Sequence, residues 1–166
     1  MLIVGQTEAG KTTLAKRMSH EYKRAGYGVI VLDPLKSSGW SCDYLFATSD
    51  AFFAYVMDKE KCTQCALFID EAGMAMDKYD TRLQWATTVA RHHGHRSHLL
   101  SQRAESVNRT TRSQCGTLAA FRLAVPDCKA YARDFAEPAL LECHTLEQGE
   151  YMLVKRFKAS ERLRLF

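Results

Sequence analysis

The strongest constraint on this chain comes in its first thirteen residues. Gly5-Gln6-Thr7-Glu8-Ala9-Gly10-Lys11-Thr12-Thr13 has the form G-x-x-x-x-G-K-T and follows the apolar run Leu2-Ile3-Val4. Such a run predicts a short buried parallel strand. After Gly10, the spacing of Leu14, Met18 and Tyr22 predicts an amphipathic helix, and Gly26 marks its stop. Strand, glycine-containing loop and helix in this order form a phosphate-gripping loop. Its backbone N–H groups point inward at the positive end of the helix. Residues 5–13 are therefore the expected nucleotide-binding segment. Lys11 is expected to reach the β- and γ-phosphates of ATP, and the Thr12 hydroxyl to ligate Mg²⁺.

The rest of the chain alternates strand and helix without a linker or repeat. Gly28 to Pro34 reads as a second buried strand, and Ser49 caps a helix carrying Ala51, Phe52, Tyr55 and Val56. Cys65 to Ile69 is a third strand. A helix is expected over about Asp80 to His93, with Leu83, Ala86, Val89 and Ala90 on its apolar face. Ser97 to Gln102 and Thr117 to Val125 are further strands. A helix near Cys128 to Phe135 and a strand near Tyr151 to Phe157 complete the pattern. This alternation predicts a mostly parallel α/β sheet with helices on both faces and a ligand at the carboxyl ends of the strands. Leu67, Phe68, Ile69, Val29, Val31 and Leu99 are expected in the core. At 166 residues the chain is read as one domain: 1–125 the nucleotide-binding core, 126–166 a helix and strand completing the sheet.

A second chemical feature ends the third strand. Ala66-Leu67-Phe68-Ile69 delivers Asp70 and Glu71 to the carboxyl edge, beside the strand that carries the phosphate loop or one strand away. Asp70 is expected in the Mg²⁺ shell, and Glu71 is placed to polarise the water that attacks the γ-phosphate.

Net charge is +4, but it is unevenly spread. Thr81 to Arg133 holds nine basic residues, eight of them arginine, against the acids Glu105 and Asp127. Arginine suits bidentate phosphate contacts, so this window points to nucleic acid or to a neighbouring subunit's nucleotide. No apolar run approaches the length of a membrane span. Six cysteines without a secretion signal suggest free thiols in a reducing compartment. Cys62-x-x-Cys65 could be half a zinc site, but no second Cys pair has matching spacing. His92, His93, His95 and His98 fall on an expected helix end and strand, so surface histidines and buried thiols are expected instead of zinc.

Ala90 to Val107, "ARHHGHRSHLLSQRAESV", decides between families. With Gly5 to Thr12 and with Asp70 and Glu71, its Arg91, Gly94, Gln102 and Arg103 resemble the FtsK–HerA superfamily of DNA-pumping ATPases. The resemblance covers roughly residues 1–125. It implies a RecA/FtsK-like three-layer α/β/α fold, with Gln102 as the polar sensor of γ-phosphate status. It also implies Arg91 as an arginine finger acting on a neighbouring subunit, with Arg96 and Arg103 as competitors for that role. The absence of membrane helices, a winged helix or an all-helical insert makes the chain most similar to the minimal genome-packaging ATPases of membrane-containing, tailless viruses and phages. That likeness implies a homo-oligomeric ring, a hexamer, working on double-stranded DNA, with capsid vertex or viral membrane proteins as further partners. Its place would be the host cytoplasm or the virion. The alternatives are a small-molecule phosphotransferase, such as a nucleoside or nucleotide kinase, and an assembly ATPase of the filamentous-phage type.

Overall fold

The apolar runs become strands packed at the centre of the molecule. The computed structural model describes residues 1–77 and 79–166. The chain runs through β1 (Leu2–Val4), α1 (Lys11–Arg24), β2 (Gly28–Leu32), β3 (Tyr44–Phe46), α2 (Ser49–Val56), β4 (Cys65–Ile69) and α3 (Ala72–Ala75). It continues through α4 (Thr81–Thr88), β5 (Arg96–Ser101), α5 (Arg109–Gln114), β6 (Thr117–Ala120), α6 (Val125–Phe135), β7 (Glu150–Lys155) and β8 (Glu161–Arg164). One sheet holds all eight strands in the order β3-β2-β4-β5-β1-β6-β7-β8. β1 to β6 are parallel, and β7 and β8 are added antiparallel.

Alternating side chains of the strands fill two cores, one on each face. Ile3, Val29, Val31, Phe68 and Leu100 pack with Leu14 and Ala15 of α1. Leu2, Ile30, Leu67, Ile69 and Leu99 pack with Phe52 and Phe53 of α2, Leu83 of α4 and Tyr131 of α6. Burial on both faces is why these strands read as continuous apolar runs. The expected three-layer, mostly parallel α/β architecture is what the chain adopts, and all six named core residues are fully buried. β5 lies between β1 and β4, so the strands bearing the phosphate loop and Asp70 are one strand apart.

Several boundaries differ from expectation. β3 and β8 are short edge strands with exposed residues: β3 is apolar but only three residues long, and β8 is mostly charged. The carboxyl-terminal region therefore supplies two strands to the sheet, not one. β6 stops at Ala120, and α6 starts early, at Val125, with Pro126 tolerated in its first turn. The helix expected over Asp80 to His93 breaks after Thr88. Thr87 and Thr88 donate their hydroxyls to the carbonyls of Leu83 and Gln84, which competes with helical bonding. Ala90–His93 then forms a 3-10 turn closed by Gly94 at φ +77°, and Val89 is exposed rather than in the core. Five of the six thiols are buried, but so are His95 and His98, against the expectation of surface histidines. His98 stacks on Phe68 with ring centres 4.6 Å apart.

The basic window is also less free than its composition suggests. Asp134, one residue past it, pairs with Arg109, Arg112 and Arg133. Arg112 is buried, donates to the Ala104 and Val107 carbonyls, and lies over the Tyr131 ring. It locks α5 and α6 to the segment after β5, a structural task. Arg82 is held by Asp80 and Asp50. Among the described residues no helix is long and apolar enough to cross a membrane.

Candidate active site

The loop between β1 and α1 folds back over the carboxyl ends of β1, β5 and β6. Gly10 has φ +120°, and a Cβ there would lie 2.9 Å from the Phe121 ring. A Cβ on Gly5 would lie 2.7 Å from Phe121 Cβ. Phe121 thus presses the loop against the sheet end, and only glycine fits at either position. The loop is tied down where Gly5 N donates to Ser101 O and Gln6 N to Arg122 O (2.8 Å). No side chain caps the start of α1, so its first N–H groups remain available to an anion.

Lys11 is 5% exposed, and its Nζ donates to the Gln6 carbonyl at 2.9 Å. Burial lowers its pKa, while Glu71 and Asp70 pull it back up. A desolvated ammonium held over an anion-binding loop is suited to a phosphate oxygen. Lys11→Ala removes charge-assisted bonds of about 1.5–3 kcal/mol each, so ATP affinity should fall about 10²-fold or more. Titration of the variant with a fluorescent ATP analogue checks this.

Across the loop, Thr12 Oγ1 donates to Asp70 Oδ2 at 3.3 Å. Burial raises the Asp70 carboxyl to about 6, and the nearby Asp33 and Glu71 carboxylates act in the same direction. A hydroxyl and a reluctantly ionised carboxylate converging beside a phosphate loop fit a Mg²⁺ ion, which favours oxygen ligands and would relieve the carboxylate's burial. Asp33, at the end of β2, joins this acidic group. Burial opposes its ionisation, but bonds from Ser37, Trp40 and Leu35 outweigh that cost and hold its pKa below the usual carboxylate value. Its only signal in the sequence is its position at a strand end next to Pro34.

Glu71, immediately before α3, has φ +48°, an uncommon conformation for a residue with a side chain. Gln102, just beyond β5, donates through Nε2 to both Glu71 carboxylate oxygens, at 2.9 and 3.0 Å. Its Oε1 accepts from Thr7 Oγ1 at 3.3 Å. A continuous polar chain therefore links the phosphate loop, Gln102 and Glu71. A cleft of about 630 Å³ opens beside it, lined by Gln6, Thr7, Gln102 and Arg103.

The carboxyl-terminal segment also reaches the loop, which the sequence did not suggest. Gln148 Nε2 donates to the Glu8 carbonyl at 3.0 Å, and Gly149 N to the Ala9 carbonyl at 3.1 Å. Phe166 lines a recess with Gly10, Lys11, Thr12 and Thr13. Arg91 is not in this group. It is exposed on the Ala90–His93 turn, beside Met1, Ser97 and Gly116 at the opposite edge of the sheet. Arg96 covers the Tyr27 ring, and Arg103 pairs with Glu105 at the cleft mouth.

No known family profile and no curated protein matches the chain. Solved structures do match in shape. The genome-packaging NTPase B204 of Sulfolobus turreted icosahedral virus 2, solved with AMPPCP, superposes with a TM-score of 0.83 at 17% identity, over 99% of this chain and 96% of that one. The fold is that of a P-loop NTPase. The conjugation coupling protein TcpA of pCW3, solved with ATPγS, gives 0.78 at 15% identity, over 100% of this chain and 59% of that one. VirB4 of Thermoanaerobacter pseudethanolicus gives 0.77 at 10% identity, over 99% and 88%. The resemblance read from the sequence is borne out in the fold, shared with a packaging NTPase and a coupling protein.

Proposed function

We propose that this chain is an ATPase of the FtsK–HerA type that drives double-stranded DNA, a genome-packaging motor working as a homohexameric ring. The observation that carries the ATPase reading is the convergence of Lys11, Thr12, Asp70, Glu71 and Gln102 around one loop. Lys11 and the loop backbone hold the phosphates of ATP, while Thr12 and Asp70 hold Mg²⁺. That ion supplies charge neutralisation of the phosphates when bound. Glu71 accepts a proton from the attacking water. Gln102 holds Glu71 while the site lacks a γ-phosphate and releases it when its amide turns toward that group.

The DNA reading is supported by the likeness to B204, a genome-packaging NTPase, and by the Arg91–Arg103 segment. The arginines tied to Asp134 are not counted in it. Arg91, Arg122 and Lys129 form no ion pair among the described residues and remain as candidate phosphate contacts. A vertex of the capsid or a viral membrane protein would anchor the ring, in the host cytoplasm or on the virion.

The deciding experiment is the ATPase rate with and without long duplex DNA. Stimulation by any duplex supports the motor. Stimulation by a nucleoside or nucleotide acceptor, with phosphoryl transfer to it, replaces the motor with a phosphotransferase. DNA indifference in an assembled ring leaves an assembly ATPase. Affinity for duplex should also fall steeply with salt, with a log–log slope near −0.9 per phosphate contacted, and show little sequence preference. Binding isotherms at several salt concentrations check this; a flat response would remove DNA as the partner.

A further inference from the structure

At the edge of the sheet away from the nucleotide loop, two turns bring three metal-binding side chains together. Cys62 lies in the turn before β4, Cys65 opens β4, and His95 immediately precedes β5. Ala66 pairs with Arg96 across these strands, so Cys65 and His95 stand side by side at their starts. Gln64, at φ +56°, turns the Cys62–Cys65 segment so that the two sulfurs meet at 3.3 Å. The turns are bonded to one another: Gln64 N donates to the His93 carbonyl at 3.1 Å, and Cys65 N to His95 Nδ1 at 3.2 Å. One ligand atom from each of Cys62, Cys65 and His95 lies within 4.8 Å of the others, and all three residues are buried.

A pair of thiols does not account for these surroundings. His95 Nε2 and His93 Nδ1 are both buried without a hydrogen-bond partner among the described residues. Their rings lie 6.1 Å apart, centre to centre. An orphaned polar atom costs about 1–3 kcal/mol, so the His93 nitrogen favours a ligand that uses it. At His95 the lone pair is on Nδ1, which accepts from Cys65 N and leaves the proton on Nε2, so the ion would take the place of that hydrogen bond. Two sulfurs with imidazole select a soft divalent ion in tetrahedral geometry. Zinc, with Zn–S near 2.3 Å and Zn–N near 2.0–2.1 Å, would set the sulfurs about 3.8 Å apart and each sulfur about 3.5 Å from nitrogen. The sulfurs need open by only about 0.5 Å to reach that spacing. A disulfide would instead need them to close by about 1.3 Å.

We propose that Cys62, Cys65 and His95 bind Zn²⁺, with His93, which lies outside their 4.8 Å cluster, turning inward to close the fourth position. The expectation of no zinc rested on the lack of a second Cys pair and on reading the histidines as surface residues; His95 is instead buried beside the two thiols. The ion would pin the starts of β4 and β5, about 16 Å from the strand ends that carry Asp70 and Gln102. It would also fix the Ala90–His93 turn that presents Arg91. The role is structural, because these side chains lie at the opposite end of the sheet from the phosphate loop.

The test is made on the intact chain, purified reduced and without chelator. About one equivalent of zinc per chain is expected by elemental mass spectrometry. Exchange for Co²⁺ should give thiolate-to-cobalt charge-transfer absorption and the visible bands of tetrahedral coordination. Cys62→Ser and His95→Ala should lose both signals, Cys42→Ser should keep both, and His93→Ala should bind cobalt about tenfold or more weakly. Wild-type protein that is folded by circular dichroism yet takes up neither metal would overturn the proposal. So would a Cys62–Cys65 disulfide found by peptide mapping of protein purified without reductant. Because the wild-type spectrum decides, the proposal stays testable even if a cysteine variant fails to fold.

Discussion

Glu71→Gln is expected to leave ATP binding nearly unchanged and to slow hydrolysis by about 10²–10⁴, the contribution of a positioned general base. The substitution keeps the side chain's size and one carbonyl acceptor for Gln102, so the polar chain through Thr7 is only partly lost. The carboxylate is what disappears, and with it the capacity to take a proton from water. The backbone at Glu71 supports this assignment. A non-glycine residue at φ +48° carries strain of about 1–3 kcal/mol, and such strain persists where the surroundings hold it in place for a task. Single-turnover hydrolysis and nucleotide titration on the same preparation separate the two effects. Unaltered turnover would move the base to another group in the acidic cluster, Asp33 being the first to examine. A large loss of binding with normal turnover of bound ATP would make Glu71 a binding residue instead.

The parts of this site that sequence exposed are those whose geometry is local. Gly5 and Gly10 stand in one short loop, and their need for glycine follows from a turn that any reader of the motif would draw. Asp70 and Glu71 follow a strand buried on both faces, so their place at its carboxyl edge is implied by the apolar run alone. The obscure parts depend on distant pieces meeting. Asp134 pairs with three arginines because α6 packs on α5, and it lies one residue past the basic window. Cys65 meets His95 only through the β4–β5 register, thirty residues apart in the chain. Gln148 and Gly149 reach the phosphate loop because the chain returns to the sheet's edge before β7. β3 escaped notice because its apolar run, Tyr44 to Phe46, is only three residues long, and β8 because an edge strand with one neighbour can carry charges along its length.

The position of Arg91 leads to the second large effect. It stands at the starts of the strands, while its own phosphate loop stands at their ends, so within one chain it cannot touch the γ-phosphate. A ring, however, is closed by a head-to-tail interface in which one surface of a subunit meets a different surface of the next. Strand starts against strand ends would be such an interface, and it would bring Arg91 to the neighbour's cleft beside Thr7 and Gln102. An arginine acting in trans supplies about 10³–10⁵ in rate. Isolated subunits should therefore be nearly inactive, and specific activity should climb with protein concentration or on DNA. Arg91→Ala should lower kcat by that factor while leaving nucleotide affinity near the wild-type value. Mixing Arg91→Ala with Glu71→Gln subunits gives the sharper result. Each variant alone should be poor, and mixed rings should recover turnover only at interfaces where an intact Glu71 faces an intact Arg91. Arg103 predicts a different pattern, because it already lines the cleft of its own subunit and pairs there with Glu105. If Arg103 acts on its own subunit's nucleotide, an Arg103→Ala, Glu71→Gln mixture has no complementing interface, since each active site then carries one defect. Recovery in the Arg91 mixture together with none in the Arg103 mixture would place the finger on the neighbour's strand-start edge. The reverse would move it to another arginine and leave the Arg91 turn without a catalytic task.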